Sequence, residues 1–258
     1  MAEIPTAKAA ELKISFSGDE ARKAACALGL QSSAGRSRTI HFWDAPRKGS
    51  EGIVLPFLER GVILRLRLDD ADHGAKRKGD MTVKLRPCPP LPSDWQEEIK
   101  NEDDDWEFTI EEDRAGPSFV PVPAASLQAD RKFEAALLRS ALASERGALD
   151  HLLTDPHHGL LEDAAGLKKG DLSDLRALGP VYSVKWKQEW DELAVAIEEW
   201  TVKDLRFLEI SVRSSTAEAA DTGRLLERAL RGRGIEPPPS GETKTRMALT
   251  VLARDLVP

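Results

Sequence analysis

The sequence predicts an α+β fold: a largely antiparallel, eight-stranded β-barrel, closed or nearly closed into a tunnel, with helices on its outside and a helical insertion. Three observations lead there. Eight short segments alternate apolar and charged residues with a period of two, as strands with one covered face do. Two segments that follow strands carry a helix start signal and an apolar stripe that needs a sheet to cover it. A stretch from about 128 to 180 switches to helical periodicity and returns to strands afterwards.

The first strand, ELKISF (11 to 16), sets Leu12, Ile14 and Phe16 on one face and Glu11 and Lys13 on the other. Ser17 stands three residues before Glu20, the capping-box spacing, and opens a helix that buries Ala21, Ala24, Ala25 and Leu28 and stops at Gly29. RTIHFWD (38 to 44) follows, with His41 in a packing role. VILRLRL (62 to 68) alternates Leu64, Leu66 and Leu68 with Arg65 and Arg67, and MTVKLRP (81 to 87) alternates Met81, Val83 and Leu85 with Lys84 and Arg86. Pro87, Pro89, Pro90 and Pro92, then the acidic run 102 to 105, mark a solvated loop. WEFTIEE (106 to 112) places Trp106, Phe108 and Ile110 opposite Glu107, Thr109 and Glu111.

The segment from 128 onward spaces Phe133, Leu137, Leu138, Ala141, Leu142, Leu149 and Leu152 as one helical face. It reads as an insertion at about 128–180 within a single domain spanning 1–258. Adjacent His157 and His158 lack a second ligand cluster and read as a surface turn. Strands resume with YSVKWKQEW (182 to 190), ELAVAIEEW (192 to 200) and RFLEISVRS (206 to 214), whose non-apolar faces carry Lys185, Lys187, Glu198, Glu209, Ser211 and Arg213. Ser215 and Glu218 repeat the capping-box spacing before a helix that buries Leu225, Leu226, Ala229 and Leu230 and ends near Gly232.

Composition narrows the function. A net charge of -7 over 258 residues and a pI near 5.4 argue against a non-specific nucleic-acid binder. No run of about 18 apolar residues suggests a membrane span, and the first ten residues lack the apolar core of a signal peptide, so a cytoplasmic location is expected. Cys26 and Cys88 have no zinc-type spacing and read as unpaired thiols. Composition says nothing about oligomeric state.

The decisive question is which strand face is inside. A half-covered sheet with its charged face in water would satisfy any single strand. Nearly every strand, however, supplies two charges to the same face. If the sheet closes with helices over its apolar exterior, those charges line a wet lumen that must hold a multiply charged anion. Arg65, Arg67, Lys84, Arg86, Lys185 and Lys187 suit a polyphosphate, and Glu11, Glu111 and Glu209 suit a hard divalent cation such as Mg²⁺ or Mn²⁺. Arg36 and Arg38 would stand at a tunnel mouth.

With these segments in this order, from about residue 9 to about 234, the chain resembles the CYTH superfamily, the triphosphate tunnel metalloenzymes. Its members include inorganic and thiamine triphosphatases, RNA triphosphatases and class IV adenylyl cyclases. The resemblance implies a metal-dependent hydrolase of tripolyphosphate or an organic triphosphate. Glu11 and Lys13 match the end of the family's E-x-E-x-K pattern, Arg65 and Arg67 its R-x-R, and Lys84 with Arg86 the following basic strand. Lys185 and Lys187 match a further basic pair. By that resemblance Glu11, Lys13 and Lys84 are the catalytic candidates; Lys13 and the six other cations grip phosphate; and Glu11, Glu111 and Glu209 hold metal. Glu107, Glu198 and Arg213 are accessory candidates. Ala9 and Ser211 stand where the family places two further acids. A slow or altered hydrolase, a phosphate-binding module without turnover, and a cyclase therefore all remain open.

Overall fold

The structure is a computed structural model, and it describes residues 2–70, 75–238 and 243–257. Its strands are β1 (Ala9–Ser17), β2 (Arg36–Asp44), β3 (Arg47–Gly49), β4 (Gly52–Val54), β5 (Val62–Asp69), β6 (Lys76–Leu85), β7 (Ile99–Asn101), β8 (Trp106–Ala115), β9 (Val120–Glu134), β10 (Arg176–Trp190), β11 (Leu193–Val202) and β12 (Leu205–Ser215). Its helices are α1 (Gly18–Ala27), α2 (Pro56–Glu59), α3 (Ala135–Leu142), α4 (Asp155–Ala165), α5 (Ala219–Gly232) and α6 (Lys244–Ala253).

The order β1-β12-β11-β10-β2-β5-β6-β9-β8 returns to β1, so nine strands close a barrel. Each pairing around it is antiparallel except β1 with β8, which is parallel. Outside the barrel, β7 pairs with β8, and β3 and β4 form a separate hairpin. The ninth barrel strand is β9, whose last seven residues, 128 to 134, were expected to be helical. Pairing decides the matter: Lys76 to Leu85 of β6 run in register with Ala125 to Glu134. The helical elements of that region start only at Ala135.

The alternation expected from sequence is present. Leu64, Leu66 and Leu68 are fully buried and join a cluster with Leu138, Ala141, Leu160 and Leu161 from α3 and α4. Leu12, Ile14 and Phe16 pack with Ala21, Ala24 and Ala25 of α1 and Leu226 and Leu230 of α5. The apolar faces thus point outward onto helices, and burying each leucine stabilises the fold by roughly 2 kcal/mol.

Three local expectations change. Ser17 precedes α1 but makes no side-chain capping bond. The Glu218 amide donates to Ser215 Oγ, and that hydroxyl donates to the Glu218 carboxylate, so only half of the capping box forms, and α5 begins only at Ala219. His157 is no surface residue: it lies in the first turn of α4, fully buried, with Nδ1 against Thr154 and Nε2 against the Met81 carbonyl. No expected element covers α6. Its buried Ala248, Leu249, Leu252 and Ala253 pack with Ile40, Phe42, Trp200 and Phe207. Among the described residues no helix is long and apolar enough to cross a membrane.

Burial lowers the pKa of His41 and of His157 from 6.5 to about 4. Both rings are neutral when folded, and the unfolded chain takes up their protons between pH 6.5 and 4. Stability should therefore fall as pH drops through that window, by about 3 kcal/mol per histidine at most. Urea midpoints from pH 7 to 4 test this, and His157→Gln should flatten the slope. Leu66→Ala should cost about 2–5 kcal/mol in the same measurement at neutral pH, as expected for a core leucine.

Candidate functional site

Cross-strand partners share a face, so the register carries the lumen from strand to strand. Arg65 pairs with Thr82 and Phe42, Arg67 with Asp80 and Ile40, Glu11 with Asp113 and Arg213, and Lys185 with Glu198 and Arg36. At one end the lining becomes apolar through Ile40, Phe42, Trp200 and Phe207, and α6 packs into that end. A cavity of about 120 Å³ lies between α6 and the charged wall, lined by Lys13, Arg65, Lys84, Arg86, Glu209 and Lys244 among others.

One wall is built on Asp113, which is 1% exposed. Lys13 Nζ lies 2.9 Å from Asp113 Oδ1 and 2.7 Å from Glu11. Lys84 Nζ lies 2.9 Å from Asp113 Oδ2 and 3.0 Å from Glu111, and Arg86 Nε is 2.9 Å from Asp113 Oδ2. Burial by itself would raise the Asp113 pKa, but Lys13, Lys84 and Arg86 outweigh it and hold the carboxyl well below its usual range. Glu11 follows the same logic: burial is opposed and overcome by Lys13 and then Lys84, which bring it down to about 2. Lys13, despite its burial, is pushed upward by Glu11 and Asp113.

Oxygens of Glu11, Glu111 and Asp113 lie within 4.8 Å of one another. An all-carboxylate set at that separation fits a hard divalent cation, which takes oxygen ligands. The parallel β1–β8 pairing creates it by placing Glu11 beside Asp113 and Ala9 beside Glu111.

The opposite wall faces α6. Glu198 and Glu209 are direct cross-strand partners. Lys244 Nζ reaches them at 2.7 and 3.2 Å, and also lies 4.0 Å from the Trp200 ring centroid. Ser183 donates to Glu198, and Ser15 donates to Glu209.

The remaining cations divide into paired and unpaired. Arg67 donates to Asp80 at 2.8 Å and to Gln128 at 2.6 Å. Arg36 and Arg38 both reach Asp69, at 2.6 and 3.3 Å. Arg65 has only a long 3.5 Å bond to Thr82, and its shielded Nε has no hydrogen-bond partner among the described residues. Burial, with repulsion from Arg67, brings the Arg65 guanidinium down to about 10. Lys185 has no hydrogen bond or ion pair among the described residues, and burial lowers its pKa as well. Half-buried cations that form no ion pair in a common lumen are groups an anion can engage.

Set against the sequence reading, the structure brings Glu11, Lys13, Lys84, Arg86 and Glu111 into one contact network. Arg213 is largely exposed and touches that network only through Glu111, at 3.5 Å. Glu107 and Lys187 are exposed, on the lumen-facing register but away from the network. Glu209 stands apart from the acidic trio and is paired with Lys244 and Ser15. Asp113 was missed although it continues the alternation of Glu107, Thr109 and Glu111. Lys244 was missed because it sits on a helix and carries no period-two signal.

The fold has solved counterparts. A protein from Bacillus halodurans described as a candidate adenylate cyclase superposes with a TM-score of 0.53 at 12% identity, covering 93% of this chain and 97% of that one. The Hippeastrum protein HpAC1, described as a candidate adenylyl cyclase with a dominant triphosphatase activity, superposes with a TM-score of 0.53 at 17% identity, covering 93% and 94%. The chain has the CYTH, or triphosphate tunnel, fold. No family model and no curated protein sequence matches it.

Asp113→Ala should leave Lys13, Lys84 and Arg86 without their shared partner and cost about 3–5 kcal/mol of unfolding free energy, as removing one member of a buried ion network does. Denaturant titration measures this. A loss below about 1 kcal/mol would contradict the role of Asp113 as the centre of that wall.

Proposed function

We propose that the protein is a metal-dependent hydrolase of a triphosphate, either inorganic tripolyphosphate or an organic triphosphate. The observation that carries the reading is the convergence in one closed lumen of Arg65 and Lys185, which form no ion pair among the described residues, with the Glu11, Glu111 and Asp113 carboxylates. An anion relieves the desolvation and mutual repulsion of the cations, and a hard cation relieves the crowding of the carboxylates. A CYTH-fold neighbour described as having a dominant triphosphatase activity supports the same choice.

In this reading Arg65 and Lys185 grip phosphate oxygens first, because neither must break an ion pair to do so. Glu11, Glu111 and Asp113 hold Mg²⁺ or Mn²⁺, which would neutralise phosphate oxygens and make a bound water more acidic. With those carboxylates neutralised by a bound ion, Lys13, Lys84 and Arg86, which now serve them, would be free to engage phosphate. Charge on the transferring group is then stabilised by fixed donors rather than by a covalent nucleophile. Arg67 remains tied to Asp80 and Gln128 and acts by position. Lys187, Arg213 and Glu107, being exposed, act at most during approach of the substrate.

A second reading, phosphate binding without turnover, is favoured by Ala9 and Ser211, which supply no carboxylate. One experiment separates the readings. The protein is incubated with tripolyphosphate, thiamine triphosphate or ATP, each with Mg²⁺ or Mn²⁺, and released phosphate is measured. Turnover that falls at least tenfold in Lys84→Ala and disappears with EDTA supports the hydrolase. Tight binding by calorimetry that persists in EDTA without product identifies the binding module, and cyclic AMP with pyrophosphate from ATP identifies a cyclase.

A further inference from the structure

The antiparallel register of β11 and β12 sets Glu198 directly opposite Glu209. Like charges facing each other across a strand pair repel, and the repulsion grows where water is scarce. A cation must stand between them. In a metal-dependent tunnel a divalent ion could fill that position, yet here the chain fills it itself. The Lys244 side chain is only 4% exposed, with its ammonium 2.7 Å from one carboxylate and 3.2 Å from the other.

The remaining contacts show that this position is built. Nζ lies over the Trp200 ring, so the cation has a third favourable neighbour. Lys244 is the first residue of α6, immediately after its cap Thr243, whose side chain accepts from the Arg246 amide. Ala248, Leu249, Leu252 and Ala253 anchor the helix against the apolar end of the lumen. Helix packing therefore supplies most of the ordering cost that a free lysine would meet on entering the tunnel. Glu198 responds strongly: burial alone would raise its pKa, but Lys244 and then Ser183 hold it far below the usual range.

We propose that Lys244 is a tethered cation occupying the Glu198–Glu209 pair in place of a divalent ion, so that the tunnel takes up one ion fewer than its carboxylates could hold. The inference deepens the proposed function and rests on it only for the presence of a divalent ion at Glu11, Glu111 and Asp113. A second divalent ion beside a fixed ammonium would meet repulsion from a charge that cannot diffuse away. Substituting the ammonium by a neutral side chain of similar length opens the pair.

The test uses Mn²⁺ alone with the full chain, its bound number read by calorimetry and by the loss of the free-ion electron paramagnetic resonance signal. Lys244→Met should bind one more Mn²⁺ than the unmodified protein, and Lys244→Met with Glu209→Gln should return to the unmodified number. An equal number in Lys244→Met and the unmodified protein overturns the assignment. If Lys244→Met fails to fold, Glu209→Gln alone decides: an unchanged number supports the assignment, and a fall by one ion overturns it. Because no phosphate is present, the hydrolase reading fails on a different readout, phosphate release, and leaves the difference in Mn²⁺ number intact.

Discussion

Closure of the sheet through the parallel β1–β8 pairing is the constraint on which the rest depends. An open sheet with the same alternation could solvate its charged face at little cost. Closing it turns that face into a lumen, where each ion must find a partner or lose hydration. The ion networks around Asp113 and around Lys244 both follow from this requirement. So do the helices outside, because the outward leucines, isoleucines and valines must be covered.

The two walls of the lumen solve the charge problem differently. On the β1–β8 side, three carboxylates are interleaved with Lys13 and Lys84 on barrel strands and with Arg86 just past the end of β6. On the β11–β12 side, the balancing cation arrives from α6. Among the described residues, the half-buried lumen cations Arg65 and Lys185 form no ion pair, which makes anion affinity a property of a few groups and not of total lumen charge. Internal pairing also explains how a chain of net charge -7 can carry an anion site: the acids elsewhere on the molecule do not enter the lumen balance.

Much of this was legible in the sequence because a strand's two-residue period is local. The alternation of Leu64 to Leu68 with Arg65 and Arg67 needs no tertiary information to assign two faces, and closure then decides which is inside. Strand β9 was not read from the sequence at all: from residue 129 ADRKFEAALL has good helix formers, and only pairing with β6 fixes residues 128 to 134 as strand. Asp113 lay one step beyond the recognised strand end, and its importance comes from parallel pairing with Glu11, which no local pattern reveals. His157 was misplaced because adjacent histidines near proline look like a turn, whereas one of them caps a helix and fills the core. Lys244 depends entirely on where α6 lands, a tertiary fact.

β1 has a consequence for the order of assembly. Its two neighbours, β8 and β12, lie roughly a hundred and two hundred residues later in the chain, so one edge of β1 stays unsatisfied through nearly half of synthesis and the other through most of it. Long-range pairings of this kind fold slowly because loop closure must precede their reward. During that interval the segment AAELKISFS is an open edge, and Lys13 together with Glu11 on it is the kind of charge that discourages edge-to-edge association. The same two side chains that face the lumen in the finished barrel thus guard the nascent strand before a lumen exists.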